Sequence, residues 1–356
     1  MTFVLDLIRM RRALARGSRA AAQMPRLAVL VAAGALGATL PSWAQTALAD
    51  QPVFSSTTVP GNLALALSVE FPTAISVVYT NRTYSSSTTY LGYFDPDKCY
   101  TYHYTDGTGP DNYFTPAAAT ATHSCSSQWS GNFLNWAAMQ TIDPFRWVLS
   151  GGYRVVDTST LTVIEKAWAS GQGGTSNFPD SSVTVGADIA GATPFASVGS
   201  TLAMRIQGLG NQMWFAMPTT AGVLPSLYGT AVPYNGVTAS GGTVYSVFIR
   251  VQACAAGLLE ANCKAYGSNR KPEGLIQQYA NKIRFSALGY LNDGSQLRDG
   301  GVLRAQQKFV GPTQPVPGST AVTNAPGAMP GQTTGAEWSA SSGVFTLNPE
   351  IGRAHV

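Results

Sequence analysis

Histidine and charged residues are scarce in this chain. Its 356 residues include three histidines, and Asp, Glu, Lys and Arg together make up 11% of the sequence. The sequence also lacks a Gly-x-Ser-x-Gly nucleophile motif, a His-Glu-x-x-His metal motif and a Gly-x-x-x-x-Gly-Lys phosphate loop. These absences argue against the common hydrolases and nucleotide-binding proteins. We therefore predict a protein that is not an enzyme and binds no cofactor.

No apolar run is long enough to cross a bilayer, but the chain begins like an exported protein. Six arginines precede residue 27, residues 27–40 are uncharged and largely apolar, and Ser42-Trp43-Ala44 follows. A basic start, a short apolar segment and a small-residue cleavage site are the parts of a signal peptide. We predict that residues 1–44 are this signal peptide, with a membrane-anchoring first helix as the alternative.

Removal of that leader changes the charge balance. Six of the 22 Lys and Arg residues and one of the 18 Asp and Glu residues lie before residue 45, which leaves 16 basic and 17 acidic residues. No basic patch with interleaved aromatic residues remains, so we predict no nucleic-acid partner. Many Ser, Thr, Gly and Tyr residues with little charge are typical of a secreted surface protein.

The four cysteines are even in number, and an exported chain favours disulfides. The sequence permits three connectivities, of which we favour the pairing of neighbours, Cys99 with Cys125 and Cys254 with Cys263. Chain entropy predicts roughly 3.5 and 2.7 kcal/mol of stabilisation for these two loops. The alternative is a zinc site, because two cysteines and two histidines can close a tetrahedron. Its candidate ligands are Cys99, His103, His123 and Cys125.

The segment from Ser130 to Gly152 carries the strongest helical signals. Phe133, Trp136 and Gln140 share one helical face, and Asp143 with Pro144 favours a second start as N-cap and first helical residue. The glycines at 151 and 152 predict its end. We expect Trp136, Phe145 and Trp147 to be buried in a packing nucleus without reactive groups.

This segment, read as SGNFLNWAAMQTIDPFRWVLSGG, resembles the N-terminal region of the PilC/PilY1 family of type IV pilus tip-associated proteins. Three further segments agree in the same order. They are YLGYFDPDKCY at 90–100, VQACAAGLLEANC at 251–263, and KPEGLIQQYANKIRFSALGYLND with RDGGVLRAQQKFVGP between 271 and 312. The resemblance extends over roughly residues 50–345.

The resemblance implies an α/β fold with a von Willebrand A-like sheet. In many relatives the first strand ends in an Asp-x-Ser-x-Ser metal-ion-dependent adhesion site, but here that place holds Ser68, Glu70 and Thr73. Because the expected Asp is absent, no metal site is carried over, and these three residues are the candidates for a divergent one. The calcium of the family is expected only in a C-terminal β-propeller, which this sequence does not include.

Composition and the resemblance together predict the domain organisation. After the signal peptide, residues 45–310 are expected to form the von Willebrand A-like domain, with loop-rich β insertions at about 79–125 and 171–242. Pro, Gly, Ser and Thr in 311–350 predict a linker or the start of a next region. Residues 351–356 resemble translated sequencing-adapter DNA and are expected to be an artefact.

Strand and helix patterns give four further expectations. Leucines alternate with small residues from Leu63 to Val69, which predicts a strand packed on both faces. Strands at 244–251 and 284–291 with a helix at 275–283 predict a parallel βαβ unit. Capping-box spacing at 162–165 predicts a short helix. Exposed Tyr residues in 90–113 are a possible binding surface, although half-buried strand positions fit them better.

Two hypotheses of different classes follow. The first is a pilus biogenesis factor and tip-associated adhesin that binds minor pilins and host or abiotic surfaces without covalent chemistry, located at the pilus tip, outer membrane surface or periplasm. The second is a secreted carbohydrate-binding module or glycan-active enzyme, for which Asp157 and Glu165 are the carboxylate candidates. A calcium site at Asp95, Asp97, Asp106 and Asp111 is a further hypothesis, but these residues lack EF-hand spacing.

Overall fold

Short strands, rather than helices, make up most of the computed structural model of this chain. It describes residues 60–67, 76–105, 107–169, 179–195, 203–218, 237–239, 242–290, 300–315, 322–324 and 336–346. Among these residues no helix is long and apolar enough to cross a membrane. The expected class, a mixed α/β fold, is confirmed; the von Willebrand A-like arrangement stays a prediction.

The described strands and helices are as follows, in chain order. The strands are β1 (Gly61–Ala66), β2 (Lys98–His103), β3 (Tyr113–Ala119), β4 (Trp129–Ser130), β5 (Arg154–Asp157), β6 (Thr162–Glu165), β7 (Asp180–Val183), β8 (Met204–Leu209), β9 (Gln212–Pro218), β10 (Val237–Ala239), β11 (Gly242–Phe248), β12 (Arg250–Ala253), β13 (Cys263–Tyr266), β14 (Asn269–Pro272), β15 (Ile283–Tyr290), β16 (Gly301–Phe309), β17 (Thr313–Pro315) and β18 (Val322–Asn324). The helices are α1 (Gly131–Ala138), α2 (Ile142–Ser150), α3 (Gly186–Ala192) and α4 (Leu275–Gln278).

Two larger sheets share one hydrophobic core. The first has the strand order β4-β2-β3-β12-β6-β5, and the second has the order β10-β11-β9-β8-β7. Within the first sheet β12 pairs parallel with β3 and antiparallel with β6, whereas the second is antiparallel throughout. Aromatic residues of α1, β3, β4 and β9 meet in the core between these elements, including Phe114, Trp129, Phe133 and Phe215.

The chain changes from one sheet to the other at a single residue. Ile249 lies between β11 and β12; its N–H donates to the Asn211 carbonyl, and its own carbonyl accepts from the Lys166 N–H. The run 244–251 is therefore two strands in two sheets. The predicted βαβ unit is wrong, because β11, β12 and β15 belong to three different sheets and α4 is only four residues long.

The third sheet has the order β1-β15-β16 and is much more open. β1 pairs parallel with β15 in register from Gly61 and Ile283 onward, and β16 pairs antiparallel with β15. The expectation that the Leu63 strand is packed on both faces is wrong for the described residues, since 42% of Leu63 is exposed. On the sheet, Leu288 and its cross-strand partner Leu303 are also exposed.

The predicted helix at 162–165 is wrong, because these residues form β6. Thr162, Val163 and Ile164 are buried between β5 and β12, whose ladders run on either side. Two adjacent β-branched side chains at 163 and 164 pack well on a pleated sheet and lose rotamer freedom in a helix. The sheet context therefore prevails over the capping-box spacing.

Part of the region expected to be a linker packs back on the protein. Residues 336–346 form a short turn structure in which Trp338 bridges to Phe345. Trp338 is buried with Ala280, Phe285 and Val310 in a small core under the third sheet. Upstream, β17 and β18 pair with each other. Residues 351–356 and the predicted signal peptide, residues 1–44, lie outside the described residues.

Candidate functional site

The side chains of two buried asparagines bind helix α1 to the loop at residues 88–94, which precedes β2. Asn132 accepts from the Tyr90 N–H at 2.7 Å and donates to the Thr88 carbonyl at 2.9 Å. Asn135 accepts from the Phe94 N–H and donates to the carbonyls of Tyr90 and Phe94. These bonds satisfy loop backbone groups that are enclosed by aromatic side chains.

The N-terminus of α1 is closed by Ser130. Its hydroxyl accepts from the Phe133 N–H and donates to the His123 carbonyl at 2.6 Å. All eight residues of α1 are buried, so the predicted single apolar face understates the packing of this helix. The sequence interpretation missed the role of the two asparagines; their occurrence within a helix, where Asn competes for backbone hydrogen bonds, is the signal that was available.

Helix α2 begins two residues earlier than predicted. It starts at Ile142 with Thr141 as N-cap, and Asp143 lies in its first turn rather than at the cap. The end is as predicted, because Gly151 adopts the left-handed conformation with φ of 78°. The expectation that Phe145 is buried is wrong, since 58% of it is exposed, whereas Trp136 is 1% exposed.

Asp143 and Lys166 form a buried polar cluster with Gln140. The two oxygens of Asp143 accept from the N–H groups of Gln140 at 2.9 Å and Ala167 at 2.7 Å. The Lys166 Nζ donates to Gln140 Oε1 at 2.9 Å and to the carbonyls of Ala167 and Gly210 at 2.7 and 2.9 Å. The cluster therefore connects α2, the end of β6 and the β8–β9 turn.

Burial dominates the electrostatics of this cluster. Removal from water raises the pKa of Asp143 and lowers the pKa of Lys166 to about 8, because each group loses hydration of its charged form. The opposite charge of the partner works against each shift without cancelling it. Lys166 lies outside the segment 130–152, so the expectation that this segment holds no reactive group stays a prediction.

A second ionic cluster surrounds Asp157. Its carboxylate pairs with Arg154 at 2.9 Å and with Lys271 at 2.6 Å, and it accepts from the Phe345 N–H at 2.8 Å. The Arg154 guanidinium lies 3.8 Å from the centroid of the Phe345 ring and donates to the Gly343 carbonyl. This cluster joins β5, β14 and residues 336–346.

The two carboxylates of the glycan-enzyme hypothesis lie in separate environments. Asp157 is in the cluster just described, and Glu165 accepts from Arg250 at 2.5 Å and from Asn211 at 2.7 Å. Asp157 pairs with Thr162 at one end of the β5–β6 ladder, and Glu165 lies three residues further along β6, about 10 Å at the usual rise. The structure does not bring them to one described cleft.

The cysteines form two disulfides, Cys99 with Cys125 and Cys254 with Cys263. This bonding removes two thiolates from the zinc alternative. Its histidines are engaged elsewhere: His103 bonds the Asp111 carbonyl, and His123 bonds the Ser86 carbonyl and lies 3.2 Å from Asp97.

Three ligand-type side chains come within 4.8 Å of one another in the described part of the chain, and they are Cys254, Glu260 and Cys263. The two sulfurs are bonded to each other, and Glu260 accepts from Lys98 and from the Cys254 N–H. These carboxylate oxygens are therefore held by protein donors.

The remaining metal candidates are dispersed or undescribed. Asp95 pairs with Lys98 at 3.1 Å, and Asp97 with His123, so two of the four calcium candidates have protein partners. Asp106 lies outside the described residues. Ser68, Glu70 and Thr73, the candidates for a divergent adhesion site, also lie outside them.

The tyrosine-rich segment is mostly core rather than surface. Tyr90, Tyr93, Phe94 and Tyr100 are at most 5% exposed. Apolar side chains are exposed instead on α2 and α4, which adjoin through the bond from Gln277 Nε2 to the Ser150 carbonyl. We call this the α2/α4 surface, and its exposed residues are Phe145, Val148, Leu275 and Tyr279.

Comparison with known proteins places this chain near one family. Residues 81–219 match the family model described as "PilY1 homolog, small alpha/beta domain". A protein of Xylella fastidiosa named "Type IV pilus biogenesis factor PilY1 homolog" is 42% identical over 314 residues, which cover 85% of this chain and 24% of that relative. These matches confirm the resemblance to the N-terminal region of the PilC/PilY1 family.

A second Xylella fastidiosa protein of the same name is 29% identical over 241 residues, covering 61% of this chain and 16% of the relative. The chain thus spans a quarter or less of the length of these relatives. No solved structure matches the chain.

Proposed function

Because this chain carries the small alpha/beta domain of PilY1 homologs, we propose that it is part of a type IV pilus biogenesis factor. The observation that carries this proposal is the 42% identity over 314 residues with a relative of that name. Such a factor acts in the cell envelope or outside the cell, in agreement with the predicted signal peptide.

We further propose that the described region acts as a tip-associated adhesin subunit that binds by non-covalent contacts. Its partners would be minor pilins at the pilus tip and, in the assembled fibre, a host or abiotic surface. Large apolar residues that remain exposed next to a rigid core are typical of protein contacts. The α2/α4 surface has this character, and on their inner sides Trp147 of α2 and Ile276 of α4 pack against hydrophobic cores.

The glycan-binding alternative has less support. Asp157 and Glu165 each contact basic side chains and lie at opposite ends of the β5–β6 ladder. The tyrosines that suggested a carbohydrate surface are largely buried. The test of this alternative is glycan turnover by wild type and by Glu165→Gln.

A genetic experiment tests the biogenesis proposal. Deletion of the gene in its own organism is expected to abolish surface pili and twitching motility, and the wild-type gene is expected to restore both. Normal piliation and motility after deletion would contradict the proposal.

A matched pair of variants tests whether the α2/α4 surface binds minor pilins. Phe145→Asp with Val148→Asp is expected to leave the protein folded and exported but to abolish its co-purification with minor pilins, because charges replace exposed apolar contacts. Leu91→Asp is the control, since Leu91 is also 58% exposed but lies in the loop before β2. Equal recovery of minor pilins with both variants would remove the α2/α4 surface from the proposal.

A further inference from the structure

A small cavity lies between α3 and the loops that precede β2 and β4. Its walls are formed by Tyr84, Ser86, Ser124, Ala187, Asp188 and Gly191. The cavity has a volume of about 40 Å³, and a single water molecule needs about 10–15 Å³. It therefore has room for one ion with about two water molecules, but it is too small for a sugar ring.

The carboxylate of Asp188 is the charged group in these walls. It is partly buried, and in the described part of the chain no donor or basic side chain pairs with it. Its place in the first turn of α3 suits a negative charge, but this gives its two oxygens no hydrogen bond. Burial raises the pKa of Asp188, and no neighbouring cation opposes that shift. A partly buried carboxylate without a partner favours a cation from outside the chain.

Tyr84 adds a buried polar group without a partner. Its side chain is 5% exposed, and its hydroxyl makes no hydrogen bond to the described residues. Asn132 and Ser130 lie near it, but their side chains bond the loop at 88–90 and the start of α1. Burial raises the pKa of Tyr84, and the charge of Asp188 adds to the shift, so the hydroxyl keeps its proton. A water molecule on an ion in the cavity would give this hydroxyl an acceptor.

Ser86 and Ser124 place two further hydroxyls at the cavity. The Ser86 hydroxyl has no hydrogen bond within the described ranges, and the Ser124 hydroxyl donates to the Gly191 carbonyl at 3.3 Å. Gly191 leaves room for the second of these groups, because a Cβ there would lie 2.6 Å from Ser124 Oγ. Hard cations take oxygen ligands, and Ca²⁺ takes about six to eight of them.

We propose that this cavity is a weak calcium site with Asp188 as its charged ligand. The Asp188 carboxylate and the hydroxyls of Ser86 and Ser124 bind the ion, and water molecules complete its shell. Ligands on three separate segments suit the adaptable shell of Ca²⁺ better than the strict octahedron of Mg²⁺. Because the site has one carboxylate, we expect a Kd of about 10⁻⁴–10⁻³ M, the range of extracellular calcium modules.

This site differs from the metal candidates that the sequence indicates. It shares no residue with Ser68, Glu70 and Thr73, and none with the aspartates between residues 95 and 111. The ion would join the loop at 84–86, the segment before β4 and helix α3, which are distant in sequence. Its binding is therefore expected to stabilise the folded state. The site goes beyond the proposed pilus function and does not depend on it.

Calorimetric titration of the exported and purified full chain with calcium chloride tests the proposal. We expect wild type to bind one Ca²⁺ saturably and to melt at a higher temperature with the ion present. Asp188→Asn keeps the shape of the side chain but removes its charge, and we expect at least about tenfold weaker binding and no shift in melting temperature. Tighter binding of Mg²⁺ than of Ca²⁺ by the wild type would overturn the assignment to calcium.

Two matched variants exclude the other calcium candidates. Asp111 is exposed, and its carboxylate also has no partner among the described residues, so Asp111→Asn removes the same charge elsewhere. Glu70→Gln does the same at the divergent adhesion site. Both are expected to bind Ca²⁺ as the wild type does. Absence of saturable binding by the wild type, or unchanged binding by Asp188→Asn, would overturn the proposal.

Gly191→Ala tests the wall of the cavity independently of charge. Alanine favours a helix over glycine, so α3 is expected to stay folded. Its Cβ forces the Ser124 hydroxyl to turn away, and we expect weaker Ca²⁺ binding with an unchanged circular dichroism spectrum. Wild-type affinity in this variant would contradict the role of Ser124 as a ligand.

Discussion

Helix α1 and the three-stranded sheet differ in how far their apolar side chains are buried. In α1 all residues are buried, and its asparagines satisfy the backbone of the loop that covers it. In the sheet, Leu63, Leu288 and Leu303 are 37–57% exposed. The first region is complete within the described residues, whereas the second has an apolar surface without a described cover. Stability should therefore be concentrated around α1.

Single substitutions in α1 and in the three-stranded sheet are expected to give the largest difference in stability. Trp136→Ala removes a side chain that is 1% exposed and donates to the Asn81 carbonyl, and we expect a loss of about 3–5 kcal/mol in the free energy of unfolding. Leu303→Ala is expected to change it by less than about 0.5 kcal/mol. Urea denaturation measures both. Equal losses would mean that the sheet is as well packed as α1.

Removal of the disulfides gives the next largest difference. Cys99→Ala with Cys125→Ala opens the loop that precedes α1 and should cost roughly 3.5 kcal/mol. Cys254→Ala with Cys263→Ala opens the shorter loop and should cost roughly 2.7 kcal/mol. Thermal unfolding of both double variants checks the order. The reverse order would show that loop length does not govern their stabilisation.

Asparagine substitutions compare the same two regions with a smaller expected loss in the free energy of unfolding. Asn135→Ala leaves the Phe94 N–H and two carbonyls without their partner, and we expect a loss of about 2–3 kcal/mol. The control is Asn62→Ala on the exposed strand β1, for which no measurable loss is expected. Urea midpoints decide between them, and similar midpoints would contradict the assigned role of Asn135.

A pH dependence of the stability is also expected. In the folded protein, burial lowers the pKa of Lys166 to about 8, against about 10.4 for a lysine in water. Between these values the unfolded chain binds more protons, so the free energy of unfolding rises with pH.

A reference variant isolates this contribution from other titrating groups. Lys166→Met lacks the amine, and its stability is subtracted from that of the wild type at each pH from 7.5 to 10.5. A difference that does not increase over this range would show that Lys166 is not held in the lowered-pKa environment described here.

Local signals in the sequence were sufficient for some elements. The glycine at 151 ends α2 because only a residue that tolerates positive φ fits there, and the buried tryptophan of α1 follows from its spacing. The family resemblance was also readable from motif order. The burial of the tyrosine segment was correctly favoured over an exposed binding surface.

Non-local relations could not be read in this way. The change of sheet at Ile249 leaves no turn signal in the run 244–251, which contains no Gly, Pro, Asn or Asp. Contacts such as Lys166 with Gln140 depend on how distant strands and turns meet, and single-sequence spacing carries no information about them. The same limit explains why Thr162–Glu165 resembled a helix start.

The contacts of Arg154 and Asp157 with residues 343–345 determine where a recombinant fragment of this chain can end. A fragment that ends at residue 310, where composition alone would place the domain edge, leaves Phe285 and Val310 without Trp338 and leaves Arg154 without the Phe345 ring. Such a fragment would expose the apolar side chains of this small core to solvent, and we expect it to aggregate during purification. A fragment that continues through Thr346 retains the lid of this small core, and the yields of the two fragments offer a simple guide for crystallisation.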